Sequence, residues 1–205
     1  VSAQGVVWLL DAAQVPEADI EALRGRLGAG EAARHARFLR PGRQRQFLLG
    51  RMLLRQTMGR MLDLPAAALT VTECAGQAPR VTLQGAPRPL PFFSLSHSGR
   101  WVACALSADS ALGLDIEVVD PRRDLRALAE LAFGGAEAAR LAALPEAARA
   151  AQFYRSWSEK EARYKLGEHA GARCVSLCRP GLSIVLCSAL PLAARVVAAT
   201  LEVHR

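Results

Sequence analysis

Apolar residues along this chain recur first at helical spacing and then at strand spacing, and the same succession returns in the second half. Residues 6–10 read as an opening strand. The segment from about Glu17 to Leu62 is mostly helical, with a break at "RPGR". Within it, "FLLGRMLLRQTMGRML" places Phe47, Leu48, Met52, Leu54 and Met58 on one apolar face and sets Arg51 one turn from Arg55. The runs "LTVTEC", "PRVTL", "FFSLS", "WVACALS" and "LGLDIEVV" are short, β-prone and punctuated by Gly, Pro and Ser, as in an antiparallel sheet. Helical spacing resumes over about 125–144 and 147–168, and strands close the chain. Helix then sheet, twice, predicts an α+β fold of two similar halves, 1–107 and 108–205. A faint internal echo agrees with it. "RWVACALS" at 100–107 and "RVVAATLE" at 195–202 share Arg, Val, Ala and Leu in register, preceded at comparable distances by "FLLGRMLLR" and "FYRSWSEKE".

With 205 residues, 51% of them hydrophobic and 22% charged, the composition is that of a globular protein able to bury a sizeable core. Lys and Arg outnumber Asp and Glu by 26 to 19, and nearly all the positive charge is arginine. Such an excess favours an anionic partner: nucleic acid, a phosphorylated cofactor or an acidic protein. The cysteines, Cys74, Cys104, Cys174, Cys178 and Cys187, are irregularly spaced, which suits free thiols in a reducing cytoplasm. Cys174, Cys178 and the nearby His169 lack the fourth ligand and the paired spacing of a zinc site. "GVVWLLDAA" is too short an apolar run, without a basic flank, for a signal peptide. "GLSIVLCSALPLAARVVAATL" is interrupted by Ser183, Ser188, Pro191 and Arg195 and reads as two strands joined by a turn, not a membrane span. A soluble cytoplasmic protein with no membrane partner is expected.

Four clusters could carry chemistry. In "GLDIE", strand alternation puts Asp115 and Glu117 on one side and Ile116 on the other. Two like charges on one face are tolerable in solvent and better placed around a hard divalent cation, so the pair is either an acidic strand face or a cation site. In "WSEKEARYKLGE", Trp157, Glu161 and Lys165 fall four apart along one helix face, where the acid and base form either a surface pair or a site. In "FSLSHSGRWVACALS", a tight turn at Ser96, His97, Ser98 and Gly99 is either a self-satisfied β-turn or a set of phosphate donors. Finally, Arg34, Arg37, Arg40, Arg43, Arg45 and Arg51 crowd one stretch, enough cations to grip several phosphates. Few aromatics accompany them and no helix-turn-helix, zinc-finger or RNA-recognition pattern is present, which makes nucleic acid the weaker use.

Taken in order, "FSLSHSGRWVACALS", "LGLDIE" and "WSEKEARYK" resemble the signature of the Sfp-type 4'-phosphopantetheinyl transferases. "GRMLLR" resembles the family's N-terminal arginine-containing helix, and the length suits the pseudo-dimeric type. The resemblance implies two related α+β halves with coenzyme A in the cleft between them. It implies transfer of the phosphopantetheine arm of coenzyme A to a serine of an apo acyl or peptidyl carrier protein, releasing adenosine 3',5'-bisphosphate. By resemblance Asp115, Glu117 and Glu161 hold Mg²⁺, Glu161 is the base, Lys165 neutralises the transferring phosphoryl group, and Ser96, His97, Arg34 and Arg45 contact coenzyme A. A monomer follows from the same likeness. Two departures stand out: "GQAPRV" where the family often has Gly-Lys-Pro, in which Gln77 cannot supply the lysine's charge and a substitute role for Arg80 is left open, and "KLGEHAGA" in place of the usual glycine pattern. Two other readings are a coenzyme A- or nucleotide-binding homologue without activity and a basic nucleic-acid-binding protein.

Overall fold

The computed structural model describes residues 3–203 apart from Ala75, Gln84, Ala86 and Pro87. Strand β1 (Ala3–Asp11) leads into helices α1 (Glu17–Arg24), α2 (Ala29–Ala36) and α3 (Pro41–Leu62). Pro41 opens α3, where its missing N–H would have had no helical partner, and Asp63 closes it in the left-handed region at φ 55°. Strands β2 (Leu69–Thr72), β3 (Arg80–Leu83), β4 (Phe92–Ser98), β5 (Trp101–Ser107) and β6 (Leu112–Val118) follow. Helices α4 (Leu125–Ala132), α5 (Gly135–Ala142) and α6 (Glu146–Leu166) precede β7 (Arg173–Arg179), β8 (Leu182–Ser188) and β9 (Leu192–Ala199). The fold is α+β, as the change of period predicted.

The strands form one sheet in the order β4-β5-β1-β9, a second in the order β6-β8-β7, and the separate hairpin β2-β3. Not all of the pairing is antiparallel. β9 lies parallel to β1, from Ala3 opposite Leu192 to Leu10 opposite Ala199, so the first sheet takes a strand from each end of the chain. On one face of that sheet, Leu10, Val102, Cys104 and Leu106 pack on Leu48, Leu49, Met52 and Leu53 of α3. On the other, Val7, Leu9, Ala103 and Ala105 meet Leu114, Ile116, Ile184 and Leu186 of the second sheet. Ala162 and Leu166 of α6 cover the far side of the second sheet at Val185 and Cys187. The order of layers is therefore helix, sheet, sheet, helix.

Strands β4 and β6 are joined by side chains. The N–H groups of Leu114, Ile116 and Val118 donate to the hydroxyls of Ser94, Ser96 and Ser98 at 2.9, 3.2 and 3.0 Å. Alternation along β4 puts all three serines on one face, and each supplies the acceptor for an amide of β6.

A second close approach seats α6. Gly113 shares a face with Asp115 and Glu117, and a Cβ there would run into the Ala162 carbonyl oxygen and come within 2.6 Å of the Leu166 nitrogen. The absent side chain lets the helix backbone rest on the strand.

Two expectations change. Arg51 and Arg55, read as helical neighbours, are both buried in an ion network. Arg55 grips the fully buried Glu31 through Nη1 at 3.0 Å and Nη2 at 2.5 Å, and Arg51 lies 2.7 Å from Glu73. Cys174 and Cys187, expected as free thiols, are directly opposite across β7 and β8 and form a disulfide, while Cys74, Cys104 and Cys178 are free. Their pairing arises from strand register, which residue spacing does not reveal. Among the described residues, no helix is long and apolar enough to cross a membrane.

Overpacking a well-packed contact costs about 1–3 kcal/mol, and Gly113→Ala presses on backbone that cannot rotate away. Urea denaturation should show a loss at or above that range. A variant as stable as the wild type would mean that α6 is not seated on Gly113.

Candidate active site

Seven of the side chains lining one cavity of about 330 Å³ come from three elements: Ser96 and His97 from β4, Asp115 and Glu117 from β6, and Trp157, Glu161 and Lys165 from α6. The structure thus brings six of the eight residues expected at the site into one pocket. A larger, mainly apolar cavity of about 770 Å³ between α1, α3 and β2 contains none of them. The turn falls later than the sequence suggested. Ser96, His97 and Ser98 complete β4, and Gly99 at φ 53° with Arg100 makes a two-residue hairpin.

The carboxylates are held differently. Asp115 is only 4% exposed. Its Oδ1 accepts from Ser96 Oγ at 3.0 Å and Lys165 Nζ at 2.8 Å, while Oδ2 is buried with no partner. Lys165 therefore pairs with Asp115, not with Glu161 as helical spacing suggested, and its other protons go to Ser96 Oγ at 3.1 Å and the Leu114 carbonyl at 3.0 Å. Glu117 is half-buried and accepts from Ser98 Oγ at 2.6 Å and from the Trp157 indole. Loss of water raises its pKa, the neighbouring Asp115 adds to the rise, and the Ser98 and Trp157 donors and Lys165 oppose it.

A hydroxyl has one proton and two lone pairs. Ser96 spends its proton on Asp115 and its lone pairs on the Ile116 N–H and Lys165 Nζ.

Arg43, one of the six crowded arginines, stands outside the cavity lining but contacts its His97. Its Nη1 lies 2.9 Å from His97 Nδ1 and also contacts Nε2. Loss of water around the ring, the Arg43 cation and Lys165 pull the His97 pKa down to about 4, so the imidazole is neutral at pH 7. Arg34 and Arg45 do not line the cavity. Arg34 is paired with Glu73, and Arg45 is held by the Ala12 and Val15 carbonyls and by Glu17 at 2.6 Å. Arg80 opens β3 on an exposed position outside the cavity. Ser98 and Trp157 complete the set around Glu117. The period-two run Ser94, Ser96, Ser98 was the available signal for the first of them.

Among the described residues, no three His, Cys, Asp or Glu side chains close into a metal cage. Magnesium does not need one. It is commonly held by one or two carboxylates together with substrate phosphates and water. The unpartnered, buried Asp115 Oδ2 beside Glu117 suits such an ion, and Glu161 lines the same cavity.

A β-sheet edge carrying Asp115 and Glu117 is thus faced across the cavity by a helix carrying Glu161 and Lys165. Residues 111–183, which include Asp115, Glu117, Glu161 and Lys165, match the model of the 4'-phosphopantetheinyl transferase superfamily. Among relatives, it is similar to the 4'-phosphopantetheinyl transferase HetI of Nostoc sp., 32% identical over 150 residues that make up 73% of this chain and 63% of HetI. It is also similar to the 4'-phosphopantetheinyl transferase psf-1 of Bacillus pumilus, 38% identical over 66% of this chain and 54% of psf-1. The 4'-phosphopantetheinyl transferase AcpT of Salmonella typhimurium is 35% identical over 60% of this chain and 58% of AcpT. The chain thus spans somewhat over half the length of the relatives it matches.

His97 is neutral in the folded protein and takes up a proton on unfolding, where an ordinary histidine titrates near 6.5. The unfolded state therefore binds more protons between about pH 6.5 and 4, and stability falls as the pH drops through that window. His97→Asn should lose less stability than the wild type between pH 7 and pH 4.5 in urea titrations. Identical pH profiles would show that His97 is not held neutral.

Proposed function

We propose that this protein transfers the 4'-phosphopantetheine arm of coenzyme A to a serine hydroxyl of an apo acyl or peptidyl carrier protein, releasing adenosine 3',5'-bisphosphate. The convergence of Ser96, His97, Asp115, Glu117, Glu161 and Lys165 on one cavity is the observation that carries the reading. Asp115 and Glu117, with Glu161 across the cavity, would hold Mg²⁺ against the coenzyme A pyrophosphate. When bound, the ion draws charge from the phosphorus under attack and stabilises the leaving phosphate.

The chain's own groups supply the rest. Glu161 takes the proton of the carrier serine, directly or through a water, as the Oγ–P bond forms and the pyrophosphate P–O bond breaks. Lys165, fixed by three acceptors, keeps a cation beside the transferring group. Arg43 and the neutral His97 offer N–H donors to a further phosphate. Carrier proteins recognised by a chain with net charge +7 would be acidic ones.

A monomeric working unit and a cytoplasmic setting complete the reading. Arg34, Arg45, Arg51 and Arg55 are already bound within the protein, which argues against nucleic acid as the partner of the arginine-rich stretch.

Incubated with Mg²⁺, coenzyme A and a panel of apo carrier proteins, the protein should add the phosphopantetheine mass to a carrier serine, and a chelator should stop it. Glu161→Ala should reduce turnover by about 10²-fold or more while keeping the fold. No mass shift on any carrier would overturn the reading, and undiminished turnover in the variant would remove Glu161 from the mechanism.

A further inference from the structure

We propose that Ser98 is a positioning residue for the acid pair, holding the Glu117 carboxylate in the orientation that receives a divalent cation, with Ser96 doing the same for Asp115. The inference rests on the reading of Asp115 and Glu117 as cation-holding groups and adds to it a part that β4 plays.

The direction of each hydroxyl proton is what the geometry fixes. Ser98 Oγ accepts the Val118 N–H at 3.0 Å, and that amide belongs to a strand paired along its whole length with β8. With the acceptor side committed to a rigid donor, the proton points at Glu117 Oε2, 2.6 Å away. Ser96 repeats the pattern two residues earlier, between the Ile116 N–H at 3.2 Å and Asp115 Oδ1 at 3.0 Å. One strand thereby aims two neighbouring carboxylates. A free glutamate has three rotatable bonds to immobilise when it takes up a ligand, and a side chain fixed beforehand avoids that loss. Groups that orient metal-holding side chains commonly matter by 10- to 100-fold in affinity.

The same strand contains an internal control. Ser94 Oγ accepts the Leu114 N–H at 2.9 Å, the same structural bond, but the hydroxyls that reach Asp115 and Glu117 are those of Ser96 and Ser98. If the serines only tie β4 to β6, losing Ser94 and losing Ser98 should have the same kind of effect. If Ser98 aims Glu117, the two should differ in cation affinity.

The test is Mn²⁺ binding by the full chain without coenzyme A or carrier, read as the loss of the free-ion signal in electron paramagnetic resonance. Ser98→Ala should weaken Mn²⁺ binding by about tenfold. Ser98→Thr, which keeps the hydroxyl, should stay close to the wild type, whereas the isosteric Ser98→Val should behave as Ser98→Ala. Ser94→Ala should lower the melting temperature without changing Mn²⁺ affinity. Because the Thr and Val variants differ only in the hydroxyl, their comparison decides the matter even if Ser98→Ala folds poorly. Equal affinities for the Thr and Val variants, or an equal loss in Ser94→Ala and Ser98→Ala, would overturn the proposal while leaving cation binding intact. A wild-type chain that takes up no Mn²⁺ would overturn the cation reading of Asp115 and Glu117, and this proposal with it.

Discussion

The bonds between the β4 serines and the β6 amides hold the two sheets in register. β6 is an edge strand, paired on one side with β8 and carrying the amides of Leu114, Ile116 and Val118 on the other. An edge of that kind needs acceptors or a cover. Hydroxyls satisfy it here, so the sheet carrying His97 and the sheet carrying Asp115 and Glu117 meet at a defined register. Gly113 adds the third element, because α6 can bring Glu161 and Lys165 over the acids only if its backbone rests on the strand. The chemistry is assembled by two contacts that are themselves backbone matters, an unpaired amide row and an absent side chain.

Charge is distributed with similar economy. The net charge of +7 is spread over a surface on which many arginines already have partners. Arg51 and Arg55 are buried against Glu31 and Glu73 and tie α3 to α2 and to the end of β2. Removing one partner from such a network strands a buried charge, which typically costs about 3–5 kcal/mol. Arg45 staples α3 to the carbonyls ahead of α1. Arg43 is turned instead toward His97, a residue of the cavity lining.

Much of this was legible in the residues. Period two along 112–118 correctly put Asp115 and Glu117 together with Ile116 in the core, and period 3.6 along α6 correctly put Trp157, Glu161 and Lys165 on one face. What the periods could not show was which charges would pair across elements. Lys165 has an acid one turn away in Glu161, yet it bonds Asp115, because β6 lies under the helix and the solvent-facing alternative gains little. For the same reason, Arg45 looked like a ligand contact and Arg43 did not: a list of arginines says nothing about which carbonyls and carboxylates will claim them. The bonds of Ser96 to the carboxylate strand, 19 and 20 positions away, were invisible at the level of a local motif. The disulfide and the parallel placement of β9 were hidden in the same way, since both depend on register between distant segments.

The place of β9 bears on how the protein is made. Its partner β1 leaves the ribosome long before it, and the sheet they share cannot be finished until the chain has been read through Ala199. Until then β1 has β5 on one side and an open row of amides and carbonyls on the other. Such a strand is the segment a nascent chain has most reason to keep shielded, and contacts of this separation are slow to close. The synthesis order thus lets the parallel pair form only after β4, β6 and α6 are already available to one another.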